Sequence, residues 1–361
     1  METITTKNIM FFIFIIKSLI VQSFSKPFSE QNRILIHPKN LFIQRAYIRN
    51  IEKLCMIVIG CQSQFSYCKK NNKKKQFTII NINSDKLKFR INSINKKSQM
   101  RILKYNTMVH ASVEKYLRMG KYMGKIISLS DFYLPMFEEK LNEYKLPKEL
   151  KYLPIVESNL NPTITSKSGA KGIWQFMPKT GKIYNLNIFR NIDDRNDPVK
   201  STIAACRYLK FLYKKIKNWE LVLAAYNSGI KNIYKILKNH NKKDFWILLN
   251  FFSKETQNYI PNFIAINYIM NYYKEHKIPV FNYYCHKYKY KETILIPIKE
   301  QISMRFFSYS LNISHQDLFF LNPKYIIFKL IPYKKRLFLR LPKQKKNYMI
   351  KKKFNWNNKK H

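Results

Sequence analysis

Apolar residues return every three or four positions across residues 109–144 and again across 199–217, where Ile203, Ala204, Tyr208, Leu209, Leu212 and Ile216 form one stripe. That is the helical period, so the middle of the chain should fold as amphipathic helices packed on one another. The first block divides into a helix over 109–127 and a second over 131–144, with Ser128 or Ser130 available as the cap between them. A short helix over 219–226 stops at Asn227-Ser228-Gly229, and another runs over 255–273 with Tyr259 on one face and Pro261 near a bend. A chain of 361 residues has ample length for a core and one or two domains. The expected fold class is mainly α.

Residues 146–178, LPKELKYLPIVESNLNPTITSKSGAKGIWQFMP, carry the chemistry. A short helix opened by Pro147 turns Leu150, Leu153, Ile155 and Val156 inward, then meets one carboxylate, Glu157, just before Ser158 and the breaker Asn161-Pro162. A glutamate at the end of an apolar helix is placed for partial desolvation, which disfavours its charged form and suits it to act as an acid near neutral pH. Gly169 and Gly172 let the backbone approach a neighbour closely, and Trp174, Gln175, Phe176 and Met177 follow as an aromatic and amide set suited to sugar rings. Taken singly, each piece has a plain alternative. A glutamate at a helix end is more often a solvated or capping residue, and GIWQFMP could be a core-packed turn.

Four blocks together resemble the lytic transglycosylases of the goose-lysozyme superfamily, with the pattern of the membrane-bound lytic murein transglycosylase D group. They are ES at 157–158, SKSGAKGIWQFMP at 166–178, AYNSG at 225–229 and ETQNYIPNF at 255–263, and they agree in order and separation. The resemblance covers about residues 105–275. It implies a lysozyme-like domain that cleaves peptidoglycan glycan strands between N-acetylmuramic acid and N-acetylglucosamine. Glycosidases ordinarily use two carboxylates, but this family uses one glutamate for both proton transfers. Carried over, Glu157 protonates the glycosidic oxygen and then deprotonates the muramic acid C6 hydroxyl, which closes on C1 as a 1,6-anhydro sugar. Ser158 would orient the substrate or the glutamate, Gln175 and Met177 would line sugar subsites, Tyr226 and Asn227 would bound the groove, and Tyr259 would hydrogen-bond Glu157. No cofactor or metal is implied.

The flanks read differently. Residues 8–21, apolar except for Asn8, Lys17 and Ser18, give a candidate signal or anchor segment over 1–25. Val58-Ile59-Gly60-Cys61 resembles a lipobox, so a lipid at Cys61 is a second route to membrane association. Residues 26–104 are Lys- and Asn-dense and read as a low-complexity basic linker, placing the transglycosylase domain at 105–280. Over 290–343 the pattern is strand, helix, helix, strand, which resembles a divergent LysM module, a small α/β glycan-binding unit; the usual glycine and threonine near its first strand are replaced. Residues 344–361 are a basic tail. Five cysteines form no metal-ligand spacing and no disulfide framework.

The formal charge of +46 would suit a polyanion partner. Lys, Asn, Ile, Tyr and Phe, all with AT-rich codons, are nevertheless inflated throughout, so codon bias accounts for the charge without a specific nucleic-acid site. The expectation is a monomer in the cell envelope. Two rivals remain at this point: a water-using muramidase drawing on Asp193, Asp194 or Asp197, and a non-catalytic peptidoglycan-binding protein.

Overall fold

The computed structural model describes residues 82–189, 192–240, 242–280, 288–298, 303–325 and 337–345. The candidate signal segment, Cys61 and the basic tail beyond 345 lie outside them. In chain order the principal elements are α1 (Ser84–Lys97), α2 (Thr107–Arg118), α3 (Lys121–Glu143), a 3-10 turn (Lys148–Tyr152), α4 (Leu153–Ser158), α5 (Pro178–Ile183), α6 (Pro198–Ile216), α7 (Trp219–Ser228), α8 (Ile230–Asn239), α9 (Lys254–Tyr272), β1 (Thr293–Ile298), α10 (Met304–Leu311), α11 (His315–Leu321) and β2 (Leu337–Pro342). The mainly α expectation holds.

The centre of the main body is α9. Ser253 caps it by accepting the Thr256 amide. Tyr259, Ile260, Phe263, Ile264, Ile266, Tyr268 and Ile269 are buried on it, which covers most of its circumference and requires neighbours on several sides. Helices α2, α4 and α7 supply them. On α2, Asn106 caps the start and Val109, Val113 and Tyr116 bury one face. On α7, Asn218 caps the start, and the helix ends at Gly229 with φ +89°. The helix thus runs through Asn227 and Ser228, two residues past the end read at Tyr226, and Gly229 alone is the stop.

Three further features differ from the sequence reading. The break between the first two long helices falls at Gly120, with φ +42°, and α3 runs unbroken through Ser128 and Ser130. Those serines cap nothing: their hydroxyls donate back to the carbonyls of Gly124 and Ile127 within the helix. The linker assigned to 26–104 is corrected over its described end. Residues 84–97 form α1, capped by Asn83, and Leu87 and Ile91 are fully buried one turn apart, with Met100, Ile102 and Leu103 following them into the core. Four or five well-spaced apolar side chains suffice to dock a helix whose other faces are Lys and Asn. Finally, α8 had no counterpart in the reading, although Ile230, Ile233 and Leu237 keep the helical period.

The C-terminal part has the expected strand–helix–helix–strand order. Strands β1 and β2 pair antiparallel, Thr293 opposite Pro342 through to Ile298 opposite Leu337. Met304, Phe307, Leu311, Ile313, Leu318, Leu339 and Leu341 form its small core, and Ile192 and Tyr325 join the same cluster. Leu321 instead belongs to the main core, and Phe320 on α11 meets Phe132 of α3 edge-on at 4.8 Å. The module is therefore packed on the helical body, not tethered to it.

Candidate active site

Glu157 sits in the last turn of α4. Leu150, Leu153 and Ile155 anchor that short helix in the core at 0% exposure, and Asn159 ends it in the left-handed region at φ +52°. Six residues make a weak helix alone, so burial fixes its orientation. The Glu157 side chain is half-buried at the domain's surface and receives the Tyr259 hydroxyl hydrogen on Oε1. Burial is the chief influence on this carboxyl and pushes its pKa from 4.5 up to about 7. Tyr259 opposes that rise by hydrogen-bonding the charged form, and the negative charge of Glu255 adds to it.

The residues around Glu157 are held by a chain of polar contacts. Tyr226, on α7, donates its hydroxyl to the Trp174 carbonyl at 2.9 Å. Burial first, and then the nearby Glu157, hold the Tyr226 and Tyr259 phenols well above their ordinary value of 10, so both remain donors. Asn227 donates to Glu255 Oε1 at 3.1 Å and accepts from Thr256 Oγ1 at 2.7 Å, fastening the end of α7 to the first turn of α9. Glu255 went unrecognised as a site residue. Its motif was visible, but its role rests on a fold contact with α7.

Several side chains read as substrate contacts are engaged elsewhere. Ser158 is 3% exposed and its hydroxyl reaches the carbonyls of Pro154 at 3.0 Å and Ile173 at 2.8 Å, so it ties α4 to the GIWQFMP loop and has no free donor for a sugar. Trp174 is fully buried, donating Nε1–H to Thr202 at 2.8 Å and meeting Phe137 edge-on, and Phe176 is also buried. Gln175 adopts φ +49°, and its amide donates to the Gly172 carbonyl at 2.7 Å, closing its own turn. Of the aromatic and amide set, Met177 is the one with a large exposed surface, 41%. The block is mostly a built loop floor with one side chain open to a ligand.

The aspartates of the rival reading are also engaged. Asp193 takes both forks of Arg195, Nε at 3.0 Å and Nη2 at 2.8 Å, with Lys171 at 3.4 Å. Burial alone would raise its pKa, but these cations hold it below the usual carboxylate range. Asp194 binds Lys200 at 2.8 Å and the Asn187 amide at 2.9 Å. Asp197 caps α6 through the amides of Val199 and Lys200 and pairs with Lys324 at 3.0 Å. Among the described residues no group of three His, Cys, Asp or Glu side chains could hold a metal, and no helix is long and apolar enough to cross a membrane.

Replacing Tyr259 by Phe is expected to lift the Glu157 pKa further, because the bond it removes favours the charged form. The alkaline limb of any activity that uses Glu157 as an acid then moves to higher pH. Losing a hydrogen bond to the carboxylate formed after proton donation should lower kcat roughly ten- to a hundredfold. A pH–rate profile with the limb unmoved would mean the two groups are not coupled.

Residues 135–249, which hold Glu157, match the family Transglycosylase SLT domain. The membrane-bound lytic murein transglycosylase D of Escherichia coli (strain K12) is 35% identical over 178 residues, which cover 48% of this chain and 39% of that protein. A putative tributyltin chloride resistance protein of Alteromonas sp. (strain M-1) is 30% identical over 140 residues, or 38% of this chain and 65% of that one. Among solved structures, the 70 kDa soluble lytic transglycosylase of Escherichia coli aligns with TM-score 0.36 at 18% identity, over 55% of this chain and 36% of its own. The chain thus spans about two fifths of the length of the transglycosylase D relatives it matches.

Proposed function

We propose that this chain is a lytic transglycosylase of the cell envelope. It cleaves the β-1,4 bond between N-acetylmuramic acid and N-acetylglucosamine in peptidoglycan and leaves 1,6-anhydro-muramic acid ends. The observation that carries the reading is Glu157, a carboxyl whose pKa is pushed up to about 7 by burial, inside the matched domain. An acid that must first give a proton and then take one works best when its pKa lies near the operating pH. Protonated, Glu157 donates to the glycosidic oxygen; ionised, with Tyr259 hydrogen-bonded to it, the carboxylate takes the C6 hydroxyl proton as that oxygen closes on C1. No water enters the products.

The engagement of Asp193, Asp194 and Asp197 in ion pairs and a helix cap supports this over a water-using muramidase, because each of these carboxylates is already held by a cation of the fold. In this reading Met177 contacts the glycan, whereas Ser158, Gln175, Tyr226 and Asn227 shape the groove from beneath. Membrane attachment through the N-terminal segment or a lipid at Cys61 remains part of the proposal, as does a glycan-binding, LysM-like role for the C-terminal module. The test is mass spectrometry of soluble products from purified peptidoglycan treated with the full chain, beside a Glu157→Gln control. Anhydro-muropeptides absent from the control are expected. Hydrated reducing ends would overturn the transglycosylase reading in favour of hydrolysis.

A further inference from the structure

The C-terminal module reaches the candidate active site through an unbroken series of buried polar contacts. In the turn after α11, Lys324 is 8% exposed at its side chain and pairs with Asp197 at 3.0 Å, while its carbonyl accepts the Asp193 amide at 3.1 Å. Tyr325 forms a β-bridge with Ile192, and its ring joins the module's core beside that residue. These contacts grip the corner of residues 192–197. Arg195, in that corner, is 6% exposed. With its other forks on Asp193, its Nη1 donates to the carbonyls of Gly169 at 2.9 Å and Phe176 at 3.2 Å, both in the loop of residues 166–176. That loop is in turn bound to α4 by Ser158 and to α7 by Tyr226, the residues next to Glu157 and Asn227.

We propose that Lys324 is a positioning residue for Glu157, acting through Asp197, the 192–197 corner, Arg195 and the loop of residues 166–176. The inference rests on the proposed function for its kinetic part only. It gives the module a role distinct from holding glycan: a buttress that fixes the loop against which the acid is set. Contacts in a buried hydrogen-bonded network depend on one another, so loosening one end is felt along the rest.

The test uses the full chain and two variants. Asp197→Asn with Lys324→Met removes the pair without leaving a buried charge alone, and asparagine still caps α6. Lys324→Arg keeps the cation. In the double variant, with near-UV circular dichroism retained, amide hydrogen exchange over residues 166–176 should quicken about tenfold and kcat on peptidoglycan fall about tenfold at constant KM. Lys324→Arg alone should leave both near their wild-type values. Unchanged exchange with unchanged kcat would overturn the proposal, and so would a rise in KM alone, which is the signature of a lost glycan contact. If the wild-type chain releases no product, the functional reading fails by itself and the exchange measurement still decides the buttress.

Discussion

Glu157→Gln is expected to melt at a higher temperature than the wild type at pH 8 and at the same temperature at pH 4, while losing turnover by about a thousandfold or more. Both effects come from one property. The folded state raises the Glu157 pKa from 4.5 to about 7. A group of this kind contributes its full stability below its unfolded pKa and loses it as pH climbs through the folded value, because the fold then holds a charge it disfavours. At about 1.4 kcal/mol for each tenfold change in proton affinity, the rise corresponds to about 3 kcal/mol at most. Partial exposure of the side chain screens some of that. Glutamine has the shape of the neutral acid and still accepts from Tyr259, so it escapes the penalty at pH 8 and gains nothing at pH 4. For a body of this size the difference is about 5–10 °C in Tm. The same change removes the group through which both proton transfers of the proposed reaction pass. A protein that keeps an unfavourable ionisation at one surface position is trading stability for chemistry. Equal melting differences at pH 4 and pH 8 would sink the idea that burial sets this pKa.

How much of this was legible in the sequence depends on how local each cause is. The helices α6, α7 and α9 are written in apolar spacing and in Asp, Asn and Ser caps, and all three were readable to within a few residues, whereas α2 was read on past its end at Arg118 because the apolar period continues across Gly120. Glu157 was readable for the same reason, since an apolar run ending at one carboxylate is a local pattern. Helix α1 was hidden because Lys and Asn dominate its composition, and only Leu87 and Ile91 betray the buried face. The polar residues of the loop were read one step too far toward the ligand. Ser158, Gln175 and Trp174 look like sugar contacts as residue types, yet each spends its donor on the protein: Ile173, Gly172 and Thr202 respectively. Whether a hydroxyl or amide is free depends on which carbonyl the fold brings beside it. Arg195 and Glu255 illustrate the converse, ordinary charges in the sequence that acquire a role only through partners on other elements.

Gly172→Ala should be the most damaging single-methyl change in the loop, costing about 4 kcal/mol or more and costing activity with it. A Cβ at this position would lie 1.8 Å from the Arg195 carbonyl oxygen and 2.6 Å from its carbon, so the two backbone segments touch where a side chain would begin. Neither can retreat cheaply. Arg195 is pinned by Asp193 and by the carbonyls of Gly169 and Phe176, and the loop is pinned by Ser158 and Tyr226. Gly169→Ala provides the matched comparison. Its φ of +89° is practically that of Gly172 at +88°, but a Cβ there meets no atom within 4 Å. It should therefore carry only the left-handed backbone penalty of about 1–2 kcal/mol. The difference between the two urea midpoints isolates the contact from the backbone strain that both share. A Gly172→Ala midpoint no lower than that of Gly169→Ala would mean the loop does not lie against the 192–197 corner. If the gap is seen, the second glycine of SKSGAKG is required for the approach of two backbones, and only secondarily for the turn it makes.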